Sequence, residues 1–375
     1  MEKLQMVDLK TQYLQLKPEI DQAIQEVIDS TAFIGGPAVN RFKENLQQYL
    51  GAKHVIPCAN GTDALQIALM AAGLQPGDEV IVPAFTYVAT AEVIALLQLK
   101  PVMVDADPHT FNLTAEIFEA AITPHTKAVV PVHLFGQSCD MGPIMQVAEK
   151  HGIWVIEDNA QAIGADYTHP DGRTVKTGTI GHIGCTSFYP SKNLGAYVDG
   201  GAMYTNDDAL AAKLHMIANH GQVRRYYHDV VGCNSRLDGI QAAILDVKLK
   251  HLDQYAAQRQ QAAAYYDRAF AGINGLHIPA RQHNSTHVFH QYTLLVDGGR
   301  RDALAEYLQS KSIPTMIYYP LPLYAQEAFK SFTDLTFLPV TDHLCKGVIS
   351  LPMHTELTEE QLAYIAEGVK HFFNV

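Results

Sequence analysis

The chain has 375 residues and a formal net charge of -12, with 47% apolar and 18% charged residues. Lys and Arg are outnumbered by Asp and Glu and form no basic run, which argues against a nucleic-acid binder. Length and composition instead indicate a compact soluble enzyme of two or three units.

The five cysteines, Cys58, Cys139, Cys185, Cys233 and Cys345, are scattered and include no C-x-x-C pair. Neither a disulfide framework nor a metal site is expected. Residues 1–8 lack the apolar segment of a signal peptide, and no apolar stretch approaches bilayer length. The expectation is a cytoplasmic protein with no membrane partner.

Helical spacing runs over residues 18–28. The run Ala32-Phe33-Ile34-Gly35-Gly36-Pro37 reads as a loop, and a second helix is expected over 39–50. Strands and helices then alternate. Strands are expected over 54–58, 79–85, 102–105, 128–134 and 153–157. Helices are expected over 64–72, 89–99, 113–122 and 141–150. Strands this apolar, separated by helices, predict an α/β fold whose mostly parallel sheet is covered on both faces.

The pattern changes after about residue 207. One long helix is expected from 237 to about 270. A smaller α/β unit follows, with strands near 291–296, 315–319 and 348–351 and helices over 302–309 and 358–373. The boundary falls inside the long helix, giving units 1–245 and 246–375.

Four segments carry chemistry. The apolar run Val155-Ile156-Glu157-Asp158 delivers a carboxylate to a strand end, where open α/β sheets bind ligands. A second strand delivers Ser187 and then Lys192, just before the loop signal Asn193-Leu194-Gly195. The step Asn60-Gly61-Thr62-Asp63 opens a helix, offering free N–H groups, a hydroxyl and the positive end of the dipole to a phosphate. Tyr87 follows a strand and can stack on a flat ring. Each feature alone is an ordinary cap, surface charge or core aromatic. Together they suit pyridoxal 5'-phosphate. Its aldehyde takes a lysine amine, its ring nitrogen needs a carboxylate, and its phosphate needs hydroxyls and N–H groups.

With these segments assembled, nearly the whole chain resembles the DegT/DnrJ/EryC1/StrS family of nucleotide-sugar aminotransferases. The likeness runs through Phe33-Ile34-Gly35-Gly36, Asn60-Gly61-Thr62-Asp63-Ala64-Leu65 and Pro83-Ala84-Phe85-Thr86-Tyr87-Val88-Ala89-Thr90. It continues through Val132-His133-Leu134-Phe135-Gly136, Glu157-Asp158-Asn159-Ala160-Gln161-Ala162, Ser187 to Gly195 and Asn234-Ser235-Arg236-Leu237-Asp238. The resemblance implies the aspartate aminotransferase-like fold, with a seven-stranded sheet between helices and a smaller C-terminal α/β domain.

It also implies roles. Lys192 is the covalent anchor and proton shuttle, and Asp158 pairs with the ring nitrogen. Gln161 meets the ring hydroxyl, and Tyr87 stacks on the ring. Gly61, Thr62 and Ser187 hold the phosphate. Asn234 reaches it from the partner of a homodimer with shared sites. Arg236, Tyr318 and Tyr319 are the implied substrate residues. The substrates are an amino acid, glutamate, and a 3-keto sugar on a nucleotide, such as UDP-N-acetyl-3-keto-glucosaminuronate. A dTDP-linked 3-keto-6-deoxyhexose, a 4-keto sugar and a non-catalytic regulatory role are the alternatives. One residue departs from the pattern: Val198 stands where the family has glycine, and valine tolerates a positive φ badly, so either the turn has another shape here or the residue was substituted.

Overall fold

The computed structural model describes residues 4–375; residues 1–3 of the N-terminal segment read above lie outside that range. Helix α1 (Leu9–Ser30) starts where Asp8 accepts hydrogen bonds from the N–H (2.9 Å) and hydroxyl (2.7 Å) of Thr11. It therefore begins at Leu9, not at residue 18. Pro18 sits inside the helix, although proline favours a first turn. Helix α2 (Gly36–Leu50) ends on Gly51, whose φ of 66° suits glycine.

The alternating section follows: β1 (His54–Cys58), α3 (Gly61–Ala71), β2 (Glu79–Pro83), α4 (Ala89–Leu96), β3 (Lys100–Val104), α5 (Ala115–Ala120), β4 (Thr126–Val129), α6 (Met141–His151) and β5 (Trp154–Asp158). β4 stops well short of residue 134. Pro131 lacks the N–H that a continuing ladder needs. Next come β6 (Asp166–Thr168), β7 (Thr174–Lys176), β8 (Ile183–Ser187), β9 (Gly201–Thr205), α7 (Asp208–Ala218), β10 (Gln222–Arg224) and β11 (Tyr227–His228).

The expected single helix over 237–270 is two: α8 (Gly239–Leu249) and α9 (Leu252–Phe270). Neither glycine nor proline marks the break. α8 is buried nearly all round, while α9 buries one stripe, so the change of direction serves packing that periodicity does not reveal. The remainder is β12 (Leu276–His277), β13 (Tyr292–Val296), α10 (Arg301–Ser310), α11 (Pro339–Gly347), β14 (Val348–Leu351) and α12 (Glu359–Phe373). Residues 315–319 are not a strand. A single bridge joins Met316 to Ser350 there, and the third strand of the small sheet is β12.

The seven-stranded sheet has the order β1-β9-β8-β5-β4-β2-β3. Strands β8, β5, β4, β2 and β3 are parallel, and β9 runs antiparallel to both β1 and β8. Only β9 is reversed, so β1, β2, β5 and β8 all end at one edge. Val80, Ile81, Val82, Val155 and Ile156 are fully buried, as expected for a sheet covered on both faces. Each such side chain contributes about 1.5–3 kcal/mol relative to exposure. A separate apolar cluster, including Tyr266, Phe270, Tyr292, Leu304 and Ile365, fills the space between the β12-β13-β14 sheet and helices α9, α10 and α12.

Candidate active site

Sheet register assembles the site. Cys58 at the end of β1 lies opposite Gly201, and Gly201 lies opposite Ser187 at the end of β8. On the next strand, Asp158 pairs with Cys185. The strand-end carboxylate, the Ser187 hydroxyl and the start of α3 therefore share one edge.

Asp158 is 6% exposed. Its Oδ2 accepts a hydrogen bond from the Thr90 hydroxyl (2.8 Å) and its Oδ1 from the Ala160 N–H (3.1 Å). The neighbouring Glu157 serves another purpose, because alternate residues of a strand face opposite ways. Its fully buried carboxylate accepts from His133 Nε2 (2.8 Å) and from the N–H groups of Gly178, Ile180 and Gly181. The Cys139 N–H donates to His133 Nδ1 (3.1 Å), which puts the imidazole proton on Nε2. Glu157 thus secures the loop beneath the site.

Lys192 lies on the loop after β8, where its N–H donates to the Tyr189 carbonyl (2.8 Å). The residue keeps partial exposure. Desolvation nonetheless pushes its amine down to about 8, with Asp158 opposing the shift. About a tenth of such an amine is neutral at pH 7, against a negligible fraction for an ordinary lysine.

The start of α3 forms a cup. Asn60 caps the helix, its Oδ1 accepting from the Asp63 N–H (2.8 Å). The N–H groups of Gly61 and Thr62 belong to the turn that has no intrahelical partners. A Cβ on Gly61 would lie 2.7 Å from the Ser187 Cβ, and one on Gly201 would lie 2.5 Å from the Asn60 backbone. The two glycines let three elements close on one small space.

On the other side, Gln161 accepts from the Phe135 N–H (2.7 Å) and donates to the Tyr319 hydroxyl (3.1 Å). Burial pushes the Tyr319 hydroxyl above its ordinary pKa. Tyr87 is 57% exposed, its ring 6.3 Å from that of Tyr319. Tyr318 packs edge-on to Tyr319 at 6.0 Å. Residues widely separated in sequence, Tyr87, Gln161 and Tyr319, thus meet.

Asn234 and Arg236 are placed differently. Both are exposed, on either side of the buried Ser235, whose hydroxyl accepts from the Ala59 N–H (3.0 Å). Arg236 lines a cavity of about 560 Å³ with Gly35, Asn40, Lys43 and His215, which Lys192 and Asp158 do not line. Within one chain Arg236 thus faces a different space from the lysine.

The turn at Val198 has another shape, as one of the two expectations had it. Positive φ among non-glycine residues falls at other positions. Val198 is 60% exposed, and its N–H donates to Gln241 Oε1 (3.3 Å), so the turn takes a shape valine tolerates.

Sequence reasoning passed over Thr90, which holds Asp158, and Thr86, whose buried hydroxyl has no partner among the described residues. A hint was present: two threonines i and i+4 apart, straddling the end of a buried strand and the start of a helix. Among the described residues, no three His, Cys, Asp or Glu side chains are grouped to hold a metal ion, and no helix is long and apolar enough to cross a membrane.

The chain is 47% identical over 366 residues to the UDP-2-acetamido-2-deoxy-3-oxo-D-glucuronate aminotransferase of Pseudomonas aeruginosa, covering 98% of this chain and 99% of that protein. It is 48% identical over 371 residues to the pleiotropic regulatory protein of Geobacillus stearothermophilus, covering 98% of each. The crystal structure of NtdA from Bacillus subtilis with bound cofactor PMP superposes with a TM-score of 0.91 at 30% identity, covering 100% of this chain and 86% of that one. A family profile matches residues 14–370, and with it the chain belongs to the DegT/DnrJ/EryC1/StrS aminotransferase family.

Proposed function

We propose that the protein is a pyridoxal 5'-phosphate-dependent transaminase that moves an amino group from glutamate to carbon 3 of a UDP-linked keto sugar, N-acetyl-3-keto-glucosaminuronate. The observation that carries the reading is that the clamped Asp158 carboxylate, Ser187 and the opening of α3 share one sheet edge, with the desolvated Lys192 amine near enough to feel the Asp158 charge.

The residues present fit the cofactor. Gly61 lets the start of α3 close on Ser187, and beside that contact the free N–H groups of the helix, the Ser187 and Thr62 hydroxyls and the helix dipole suit a phosphate. Thr86 adds a buried hydroxyl without a partner among the described residues. Bound pyridoxal phosphate supplies an electron sink and carries the amino group between substrates.

This chain's residues do the rest. Lys192 would be the covalent anchor, and its amine, once free, would take and return the proton at the reacting carbon. Asp158 holds a proton on the ring nitrogen by its negative charge. Gln161 meets the ring hydroxyl, and Tyr87 covers the ring face. Gly61, Thr62 and Ser187 receive the phosphate. Tyr318 and Tyr319 bound the sugar.

The active unit in this reading is a homodimer in which the partner's Asn234 completes the phosphate cup. Exposed apolar residues support it: Phe33, Ile34, Val198, Tyr226 and Tyr227 are all about half exposed or more. The partner's Arg236 offers a planar fork for the uronate carboxylate or a diphosphate oxygen. The chain divides near residue 245 into a cofactor-binding unit and a C-terminal unit, and the protein works in the cytoplasm.

A panel assay tests the substrate. Purified protein with glutamate should aminate the UDP-linked 3-keto uronate in preference to a dTDP-linked 3-keto-6-deoxyhexose. Arg236→Lys should depress the uronate reaction far more than the deoxyhexose reaction. Amination of 4-keto sugars alone would overturn the assignment. A regulatory role without turnover is the second reading, favoured by the likeness to the Geobacillus protein. It predicts no amination of any sugar in the panel.

A further inference from the structure

A fully buried lysine lies against the loop that carries Lys192. Lys248, on α8, is 1% exposed. Its ammonium donates one hydrogen bond, to the Gly195 carbonyl (2.8 Å), and lies 4.7 Å from the centre of the Tyr197 ring. Among the described residues no carboxylate forms an ion pair with it, and burial alone pushes the amine down to about 8. Burying an ammonium with so little compensation is costly, and an apolar side chain of similar length would avoid the cost.

The atoms that Lys248 touches belong to the loop that carries Lys192. That loop is tied at its base, where the Phe188 N–H donates to the Gly200 carbonyl (2.7 Å) and the Ala196 N–H to the Phe188 carbonyl (2.7 Å). Its second half is held from α8. Gln241 Oε1 accepts from the N–H groups of Tyr197 (2.8 Å) and Val198 (3.3 Å), and Lys248 takes the Gly195 carbonyl. Gln241 and Lys248 are seven residues apart, two helical turns, so one helix face presents both. Gly195 admits no side chain, since a Cβ there would lie 2.3 Å from the Pro190 carbonyl oxygen. The loop is therefore folded tightly between Pro190 and Gly195, with Lys192 within the fold and Lys248 latching the outgoing end.

We propose that Lys248 is a positioning residue for Lys192: its ammonium, seated on the Gly195 carbonyl and the Tyr197 ring, holds the loop so that the Lys192 amine meets the cofactor in one orientation. The proposal rests on the reading of Lys192 as the anchor. It also accounts for an aromatic at 197 beside the reactive lysine.

The test compares Lys248→Met, close in length but without charge or donor, with the native protein, both loaded with pyridoxal phosphate. Circular dichroism in the visible band of the cofactor reports its orientation, and kcat and KM are measured for the sugar. The expected result is a weakened visible signal and a kcat lower by about tenfold with KM nearly unchanged, since small misplacements act on the chemical step. Lys248→Gln, which keeps a donor, should recover part of both, and it replaces the Met variant if that protein does not fold. A native signal and a native kcat in the variant would overturn the proposal. So would a lower melting temperature with an unchanged signal and rate. Borohydride reduction followed by mass spectrometry separates the two readings. Cofactor on Lys192 leaves the outcome to Lys248 alone, whereas cofactor on another lysine removes the reading of Lys192 and this proposal with it.

Discussion

Gly61 and Ser187 approach so closely that a Cβ on the first would lie 2.7 Å from the Cβ of the second, joining the start of α3 to the end of β8. Gly61→Ala must push the helix or the strand aside. Such overpacking costs about 1–3 kcal/mol. The expected outcome is a lower melting temperature and a cofactor dissociation constant raised at least about tenfold, read by fluorescence titration. Native cofactor affinity would mean that this junction does not hold the phosphate.

The Lys192 amine provides a pH signature. Its pKa is lowered from 10.5 to about 8, so the neutral, nucleophilic form dominates above about 8. Covalent attachment of pyridoxal phosphate to cofactor-free enzyme should quicken as pH rises through about 8 and then level off. Stopped-flow measurement of the visible band follows it. A rate still climbing steeply between pH 9 and 10.5 would show an ordinary lysine. Lys192→Ala should keep the fold and lose attachment altogether.

Asp158→Asn keeps the shape and removes the charge. A rate loss of at least a hundredfold is expected, about 2.7 kcal/mol in barrier. Thr90→Val removes only the hydroxyl that donates to Asp158 Oδ2 (2.8 Å). A loss of roughly 1 kcal/mol, about fivefold in rate, should follow. Steady-state kinetics rank the two, and near-native activity in Asp158→Asn would remove the carboxylate from its role.

Shared sites predict complementation. Lys192→Ala and Asn234→Ala proteins are each expected to be inactive alone. Mixed under conditions that exchange subunits, they should regain activity, because one site of the hybrid has a native lysine and a native Asn234 from the partner. No recovery despite exchange proven by mass spectrometry would place Asn234 in its own chain's site.

The alternation of elements, and where the chemistry sits along the chain, are legible in the residues. Apolar strands that end on Asp158 and Ser187, and a helix that opens on Gly61-Thr62, are local patterns, and β1, β5 and β8 form where those patterns run. Such features depend on neighbours a few residues away, which is why they can be read from residues alone.

How they meet is a matter of three-dimensional packing. The single reversed strand β9 brings Gly201 between Cys58 and Ser187, and nothing in its residues announces its direction. The packing of α8 on all sides ended a helix that periodicity would have continued. Tyr319 reaches Gln161, and Lys248 reaches Gly195, across separations of 158 and 53 residues. The same packing set the Lys192 amine near 8, because desolvation depends on what surrounds a group in space and not on what adjoins it in the chain.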